Sequence, residues 1–217
     1  MSELTGVFGG TFDPLHFAHL RLAEEAMTHL GLGQIRWIPA GCPAHRETPE
    51  VTAKQRLEMV VRATADNPRF VVDAAEVMAE RTSYTVETLE RLRAGTDDQP
   101  PLVLLLGADA FAGLAGWHRW RELFALAHVA VAHRPDFPIV PANLSPELAH
   151  EFSLRYSADA QALGTSAGGR IVSFAMTRLA ISATQIRQLL VDGQSARYLL
   201  PDVVLDYIQT HQLYRNR

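Results

Sequence analysis

The sequence predicts a doubly wound α/β fold on a mainly parallel sheet of about six strands, closed by C-terminal helices. Three observations carry that expectation. Short apolar runs flanked by turn residues recur along the chain, and stretches with helical apolar spacing separate most of them. The composition, 217 residues with 47% hydrophobic and 20% charged side chains, suits one globular domain over residues 1–217 with a sizeable core.

Taken in order, the apolar runs are Leu4 to Phe8, Ile35 to Ile38, Phe70 to Val72, Leu102 to Leu106, Val129 to Ala132 and Ile171 to Phe174. Their lengths and flanking turn residues suit buried strands. Leu20, Ala23, Met27 and Leu30 fall on one face of Phe17 to Leu30, and Leu57, Val60 and Val61 do so in Ala53 to Ala65. Thr85 to Ala94 and His118 to Leu126 read as further helices. Strands alternating with helices of this length imply right-handed parallel crossovers with helices on both faces of the sheet. Two helices close the chain, Ala183 to Val191 and Asp202 to Thr210, the second begun by Pro201. Asp136 to Gly169 is weakly periodic and reads as an insertion with one helix.

A formal net charge of −4 and a pI near 6.1 provide no global attraction for polyanions. Bulk nucleic-acid binding is disfavoured, and a phosphate ligand must be held by local basic groups and backbone amides. Cys42 is the single cysteine, which rules out an internal disulfide framework and a multi-cysteine zinc site. Met1-Ser2-Glu3-Leu4 lacks a basic-then-apolar leader pattern, and no apolar run approaches the ~20 residues that span a membrane. The expectation is an unprocessed, cytoplasmic protein without membrane or nucleic-acid partners.

In open α/β sheets ligands bind beyond the carboxyl ends of the strands, so the segments after each apolar run are the places to look for chemistry. After the first run, Gly9-Gly10-Thr11-Phe12-Asp13-Pro14-Leu15-His16-Phe17-Ala18-His19 is a glycine turn feeding a helix with two histidines three apart, hence on one face. A helix start offers amides and partial positive charge to an anion, and two imidazoles add donors. Read singly, the glycines make a tight turn and each histidine is a surface or core residue; the combination favours an anion seat. The segment is neither a Gly-x-Gly-x-x-Gly fingerprint nor a Walker loop. Far along the chain, Ile181-Ser182-Ala183-Thr184-Gln185-Ile186-Arg187 opens a helix, with Ser182 as N-cap and Arg187 placed to meet a polyphosphate.

Together the two segments resemble the motifs of the nucleotidyltransferase superfamily that includes the adenylyltransferases and cytidylyltransferases, with Ala18 where the family usually has glycine. The resemblance narrows to the bacterial nicotinate mononucleotide adenylyltransferases, covers nearly the whole chain, and implies a Rossmann-like nucleotidyltransferase fold. It implies ATP contacts at Gly9, Gly10, Thr11, Phe12, His16, His19, Gly107, Asp109, Arg134, Ile181, Ser182, Thr184 and Arg187, with His16, His19 and Arg187 catalytic. For nicotinate mononucleotide it implies Thr11, His45, Arg46, Ser83, Tyr84, Thr85, Asp109, Trp117 and His118. His45 and Arg46 would face the phosphate, amides at Ser83 to Thr85 the pyridine carboxylate, Asp109 the ribose, and Trp117 the ring. The bland alternatives are a basic surface patch at His45 and Arg46, and Ser83 or Thr85 as a helix cap. Trp120, at helical spacing, is expected in the core.

The resemblance implies direct attack of the mononucleotide phosphate on the α phosphorus of ATP, with Mg2+ carried mainly by substrate phosphates and no protein metal ligand. The competing readings are an adenylyltransferase for pantetheine phosphate or nicotinamide mononucleotide, and a nucleotide sensor without turnover.

Overall fold

The computed structural model describes residues 3–43, 49–79, 81–95 and 100–215. Its strands are β1 (Thr5–Gly10), β2 (Gln34–Pro39), β3 (Cys42–Pro43), β4 (Phe70–Val72), β5 (Thr82–Ser83), β6 (Leu102–Gly107), β7 (His128–His133) and β8 (Ile171–Ala175). Its α-helices are α1 (Phe17–Leu30), α2 (Ala53–Thr64), α3 (Ala75–Met78), α4 (Thr85–Ala94), α5 (Ala108–Ala112), α6 (Leu123–Leu126), α7 (Pro146–Arg155), α8 (Ala183–Val191) and α9 (Asp202–Thr210). Six strands form one sheet in the order β4-β2-β1-β6-β7-β8, while β3 and β5 make a separate two-stranded pair. β6 pairs in parallel with β1 and with β7, and β7 with β8. The strand order reverses at β1, which is the doubly wound topology that the alternating apolar runs predict.

The chain packs as two units. The first comprises the described residues of Met1–Phe8, Leu22–Arg36 and Tyr84–Arg178. Its central strands β6 and β7 each begin with five buried residues, Leu102 to Leu106 and His128 to Ala132, as strands covered on both faces must. His128 is fully buried and both ring nitrogens are used: Nδ1 accepts from the Arg170 amide at 3.1 Å, and Nε2 lies 2.9 Å from the Ser166 carbonyl. The acceptor role of Nδ1 puts the proton on Nε2, fixing a neutral tautomer. Burial lowers the pKa of this imidazole below its ordinary value. Glu25 of α1 is likewise buried and accepts from the amide and hydroxyl of Thr177, anchoring the segment that follows β8. The stretch from Asp136 to Gly169 holds one α-helix, α7, capped by Ser145 with Pro146 in its first turn, together with two 3-10 turns.

The second unit comprises the described residues of Gly9–Arg21, Trp37–Ser83 and Leu179–Arg217. Its core joins Met59 of α2, Ile186 of α8, and Leu200, Val204, Leu205, Ile208, Leu213 and Tyr214 around α9. α2 starts at a capping box: Thr52 Oγ1 accepts from the Gln55 amide, and Gln55 Oε1 accepts from the Thr52 amide. Among the described residues no helix is long and apolar enough to cross a membrane.

One expectation changes. His118 to Leu126 is not one helix: Arg119 sits at φ 51°, a left-handed conformation that ends regular winding, and the chain continues as a 3-10 turn (Trp120–Glu122) and then α6. The short elements β3, β5, α3 and α5 carry too few residues to show a period.

Arg93 of α4, 7% exposed, donates to the carbonyls of Leu126, Pro100 and Ala167 from three different nitrogens. Arg93→Ala would strand those carbonyls at ~1–3 kcal/mol for each buried acceptor left unsatisfied. The expected loss of roughly 3–5 kcal/mol lowers the melting temperature by on the order of 10 °C for a chain of this size. Differential scanning calorimetry reads it, and an unchanged transition would mean that water replaces the guanidinium without cost.

Candidate active site

The glycine turn is built from β1 outward. β1 ends in Gly9 and Gly10, and the Gly10 carbonyl accepts from the Ala40 amide at 2.9 Å. A Cβ at Gly10 would press into the ring of Phe12, so this position has no room for a side chain. Phe12 itself is buried in the left-handed region at φ 51°, its ring tilted on Trp37 at 5.5 Å and edge-on to His19 at 5.1 Å. Such a backbone angle costs on the order of 1 kcal/mol for a bulky residue and persists only where the surroundings enforce it.

The two histidines meet. Their rings stack with centroids 3.7 Å apart and planes 24° from parallel. The amide of His16 donates to Nδ1 of His19 at 3.3 Å, so the proton of a neutral His19 sits on Nε2. His16 is 5% exposed, and its Nδ1 is buried with no hydrogen-bond partner among the described residues. The Phe17 amide, at the start of α1, is taken by the Leu199 carbonyl. Two backbone donors at this helix start are thus committed to the protein, and the imidazoles become the more prominent polar groups there.

The last motif joins the first. Ser182 caps α8, its Oγ accepting from the Gln185 amide at 3.2 Å, and Thr184 is exposed beside it. Ile186 is fully buried, which fixes the phase of the helix and leaves Arg187 half-exposed. Arg187 NH1 donates to the carbonyl of Asp13 at 2.9 Å, and its Nε donates to Glu50 Oε1 at 2.7 Å. A guanidinium 174 residues away in sequence therefore sits on the glycine turn.

The remaining candidates of the second unit lie beside the two-stranded pair, where Pro43 stands opposite Ser83. Ser83 Oγ donates to Glu76 Oε2 at 2.6 Å, and the N-cap of α4 is Tyr84, without a side-chain cap bond. Neither Ser83 nor Thr85 caps the helix: the N-cap position falls on Tyr84, Thr85 is already helical, and the Ser83 hydroxyl is spent on Glu76. His45 and Arg46 fall outside the described residues.

In the first unit Gly107 ends β6 and is the N-cap of α5, whose first turn carries exposed Asp109. Trp117 is half-buried, and His118 is exposed with its ring 4.4 Å from that of Tyr84. Arg119 bonds the carboxylates of both Glu90 and Glu122, tying this turn to α4. Trp120 is buried as expected, and Arg134 is exposed after β7.

The cytidylyltransferase-like family model matches residues 7–189, from β1 to α8 and therefore through both motifs. The chain belongs to this family. It is similar over its full length to a protein of Dechloromonas aromatica named a probable nicotinate-nucleotide adenylyltransferase, with 67% identity over 216 residues and 100% of each chain covered. A Pseudomonas putida protein of the same name is 48% identical, covering 97% of this chain and 94% of its own. Among solved structures, the nicotinic acid mononucleotide adenylyltransferase of Plasmodium falciparum complexed with NaAD superposes with a TM-score of 0.74. It covers 98% of this chain and 97% of its own at 15% identity, which establishes likeness of fold.

For a member of the cytidylyltransferase-like family the electrostatics are specific. Burial pulls the His16 pKa down from 6.5 to about 4, so this imidazole is neutral at pH 7. Stacking also disfavours charging both rings at once. Fixed positive charge near the turn comes from Arg187 and from Arg56 of α2, which is 1% exposed and donates to the Thr11 carbonyl at 2.6 Å and the Gly41 carbonyl at 2.9 Å. The carboxylate of Asp13 accepts from the Tyr214 hydroxyl at 2.6 Å and from the Glu50 amide at 3.0 Å. Sequence reading assigned Asp13, Glu50, Arg56 and Tyr214 no role. The available signal was an arginine on the same face of α2 as buried Met59 and Val60.

The His16 ring resonances should stay flat from pH 8 down to pH 6 and move only on approach to about 4, as followed by imidazole proton shifts. Because the folded pKa lies below the unfolded one, the stability from this group is full above pH 6.5. It is lost as pH falls toward about 4, where the unfolded state binds the proton first. A midpoint near 6.5 would show that the ring is solvated.

Proposed function

We propose that the chain transfers the adenylyl group of ATP to nicotinate mononucleotide, giving nicotinate adenine dinucleotide (deamido-NAD) and pyrophosphate in NAD biosynthesis. The observation that carries the reading is Arg187 seated on the carbonyl of Asp13, which unites the histidine turn with the Ser182-Thr184-Arg187 helix start. The names of the full-length relatives support the choice of a pyridine mononucleotide as acceptor.

In the proposed reaction a 5′-phosphate oxygen of the mononucleotide forms a bond to the α phosphorus of ATP. The bond from that phosphorus to the α,β-bridging oxygen breaks in line, and pyrophosphate leaves carrying that oxygen. The attacking phosphate is already ionised near neutral pH, so the protein's work is positioning and charge stabilisation, without an enzyme nucleophile. His19 presents Nε2–H, and neutral His16 one ring N–H, to charge developing on the α phosphate. Ser182, Thr184 and Arg187 take the β and γ phosphates, while Gly9, Gly10, Thr11, Phe12 and Ile181 line the nucleotide. Gly107, Asp109 and Arg134 contact the adenosine, with Asp109 accepting from ribose hydroxyls.

For the acceptor, His45 and Arg46 meet the phosphate, Thr11 lines the mononucleotide, the amides of Ser83, Tyr84 and Thr85 meet the carboxylate, and Trp117 and the amide of His118 the ring. Mg2+ arrives with the polyphosphate, held by phosphate oxygens and water as this ion commonly is. Among the described residues no group of three or more His, Cys, Asp or Glu converges on a cation position. The reading also takes residues 1–217 as one nucleotidyltransferase domain working in the cytoplasm.

The test is magnesium-dependent pyrophosphate release with nicotinate mononucleotide, nicotinamide mononucleotide and pantetheine phosphate offered separately. Release with the first and little with the others is expected. Activity only with another acceptor would refute the substrate, and ATP binding without release under any pairing would refute transfer. His19→Ala should cut turnover by about 10² to 10³ with the fold intact by circular dichroism, and His118→Ala by much less. Removing magnesium with a chelator should stop release, and adding it back should restore it.

A further inference from the structure

Arg56 plays no part in the chemistry proposed above, yet it occupies the most demanding position in the second unit. Its side chain is among the largest fully buried ones, and its Nε is enclosed without a hydrogen-bond partner among the described residues. Burial disfavours its charged form, with Asp13 acting in the opposite direction as the leading compensating charge. A buried charge is a poor way to gain stability, since apolar side chains of similar volume often do as well or better. The orientation its fork imposes on the backbone is therefore the place to look for a role beyond stability.

The fork suggests what that is. One arm bonds the Thr11 carbonyl and the other the Gly41 carbonyl, across 45 and 15 residues of sequence. In a planar trans peptide the C=O and the following N–H point in opposite directions. Drawing the Thr11 oxygen to Arg56 therefore turns the Phe12 amide the other way. Arg187 holds the Asp13 oxygen, which precedes Pro14 and so orients no following N–H but fixes the end of the turn. Gly41 is a firm anchor, because even a Cβ there would collide with the Glu76 carbonyl. The opposing charge is fixed as well: both carboxylate oxygens of Asp13 are engaged, one by the Tyr214 hydroxyl and one by the Glu50 amide.

We propose that Arg56, with Asp13 locked by Tyr214, is a positioning residue for adenylyl transfer, holding the Thr11-Phe12-Asp13 turn in its reactive orientation. The inference rests on the reaction proposed above. It acts through the backbone, so it should be felt in the transition state more than in substrate affinity.

The experiment is steady-state kinetics of Arg56→Lys and Tyr214→Phe, with His19→Ala as a reference, at a temperature well below each melting transition. Lysine retains a charge but cannot bond both carbonyls as a fork. Phenylalanine retains the ring and removes only the hydroxyl. The expected result is a kcat reduced by about 10- to 100-fold in Arg56→Lys and at least about 5-fold in Tyr214→Phe, since misplacement of about 1 Å costs that order. KM for ATP and for the mononucleotide should stay within about threefold of the parent. If folded Arg56→Lys and Tyr214→Phe both keep kcat within about twofold, the inference is wrong, and if Arg56→Lys does not fold, Tyr214→Phe alone decides by the same thresholds. Full activity of His19→Ala would instead refute the underlying reaction.

Discussion

Asp13 is the residue on which the glycine turn depends. Its carbonyl accepts a hydrogen bond from the Arg187 guanidinium, and its two carboxylate oxygens accept from the Tyr214 hydroxyl and the Glu50 amide. At 7% exposure the carboxylate must have all of this hydrogen bonding to justify its removal from water. Without those partners, the left-handed backbone at Phe12 would have little to hold it against relaxation. The glycine turn is therefore a product of tertiary contacts and not of its local sequence.

A second constraint is the economy of charge around that turn. The chain carries a net charge of −4, so its overall field does not draw in a polyphosphate. The buried ring of His16 does not make up the difference, because it is neutral. It adds an oriented dipole to the turn in place of a charge. Among the described residues, two arginines bond carbonyls of the turn, one half-exposed on α8 and one buried on α2. Both first satisfy backbone carbonyls, so each cation also shapes the protein that surrounds it.

Much of the fold was legible because the strands that matter most are continuous apolar runs. Leu102 to Leu106 and Val129 to Ala132 are buried throughout, so their pattern is visible without any partner. The helices at Phe17, Thr85, Ala183 and Asp202 begin where turn chemistry or apolar spacing placed them. What escaped reading depends on a single torsion or on pairs. The break at Arg119 is one backbone angle hidden inside a helical pattern. The two-residue strands β3 and β5 exist only because they face each other. His16, His19 and Arg187 could be picked out as motif members, whereas Arg56 and Tyr214 look like an ordinary helix arginine and an ordinary apolar tail residue. Their meaning appears only when a buried carbonyl and a buried carboxylate are found at their tips.

The sequence separations around Asp13 bear on how the protein comes into being. Its partners lie 37, 174 and 201 residues downstream. During vectorial synthesis the ribosome delivers the histidine motif long before the arginine and the tyrosine that brace it have been polymerised. A half-made chain thus displays the motif without the turn. The turn can acquire its full set of braces only once Tyr214, 201 residues after Asp13, has been made.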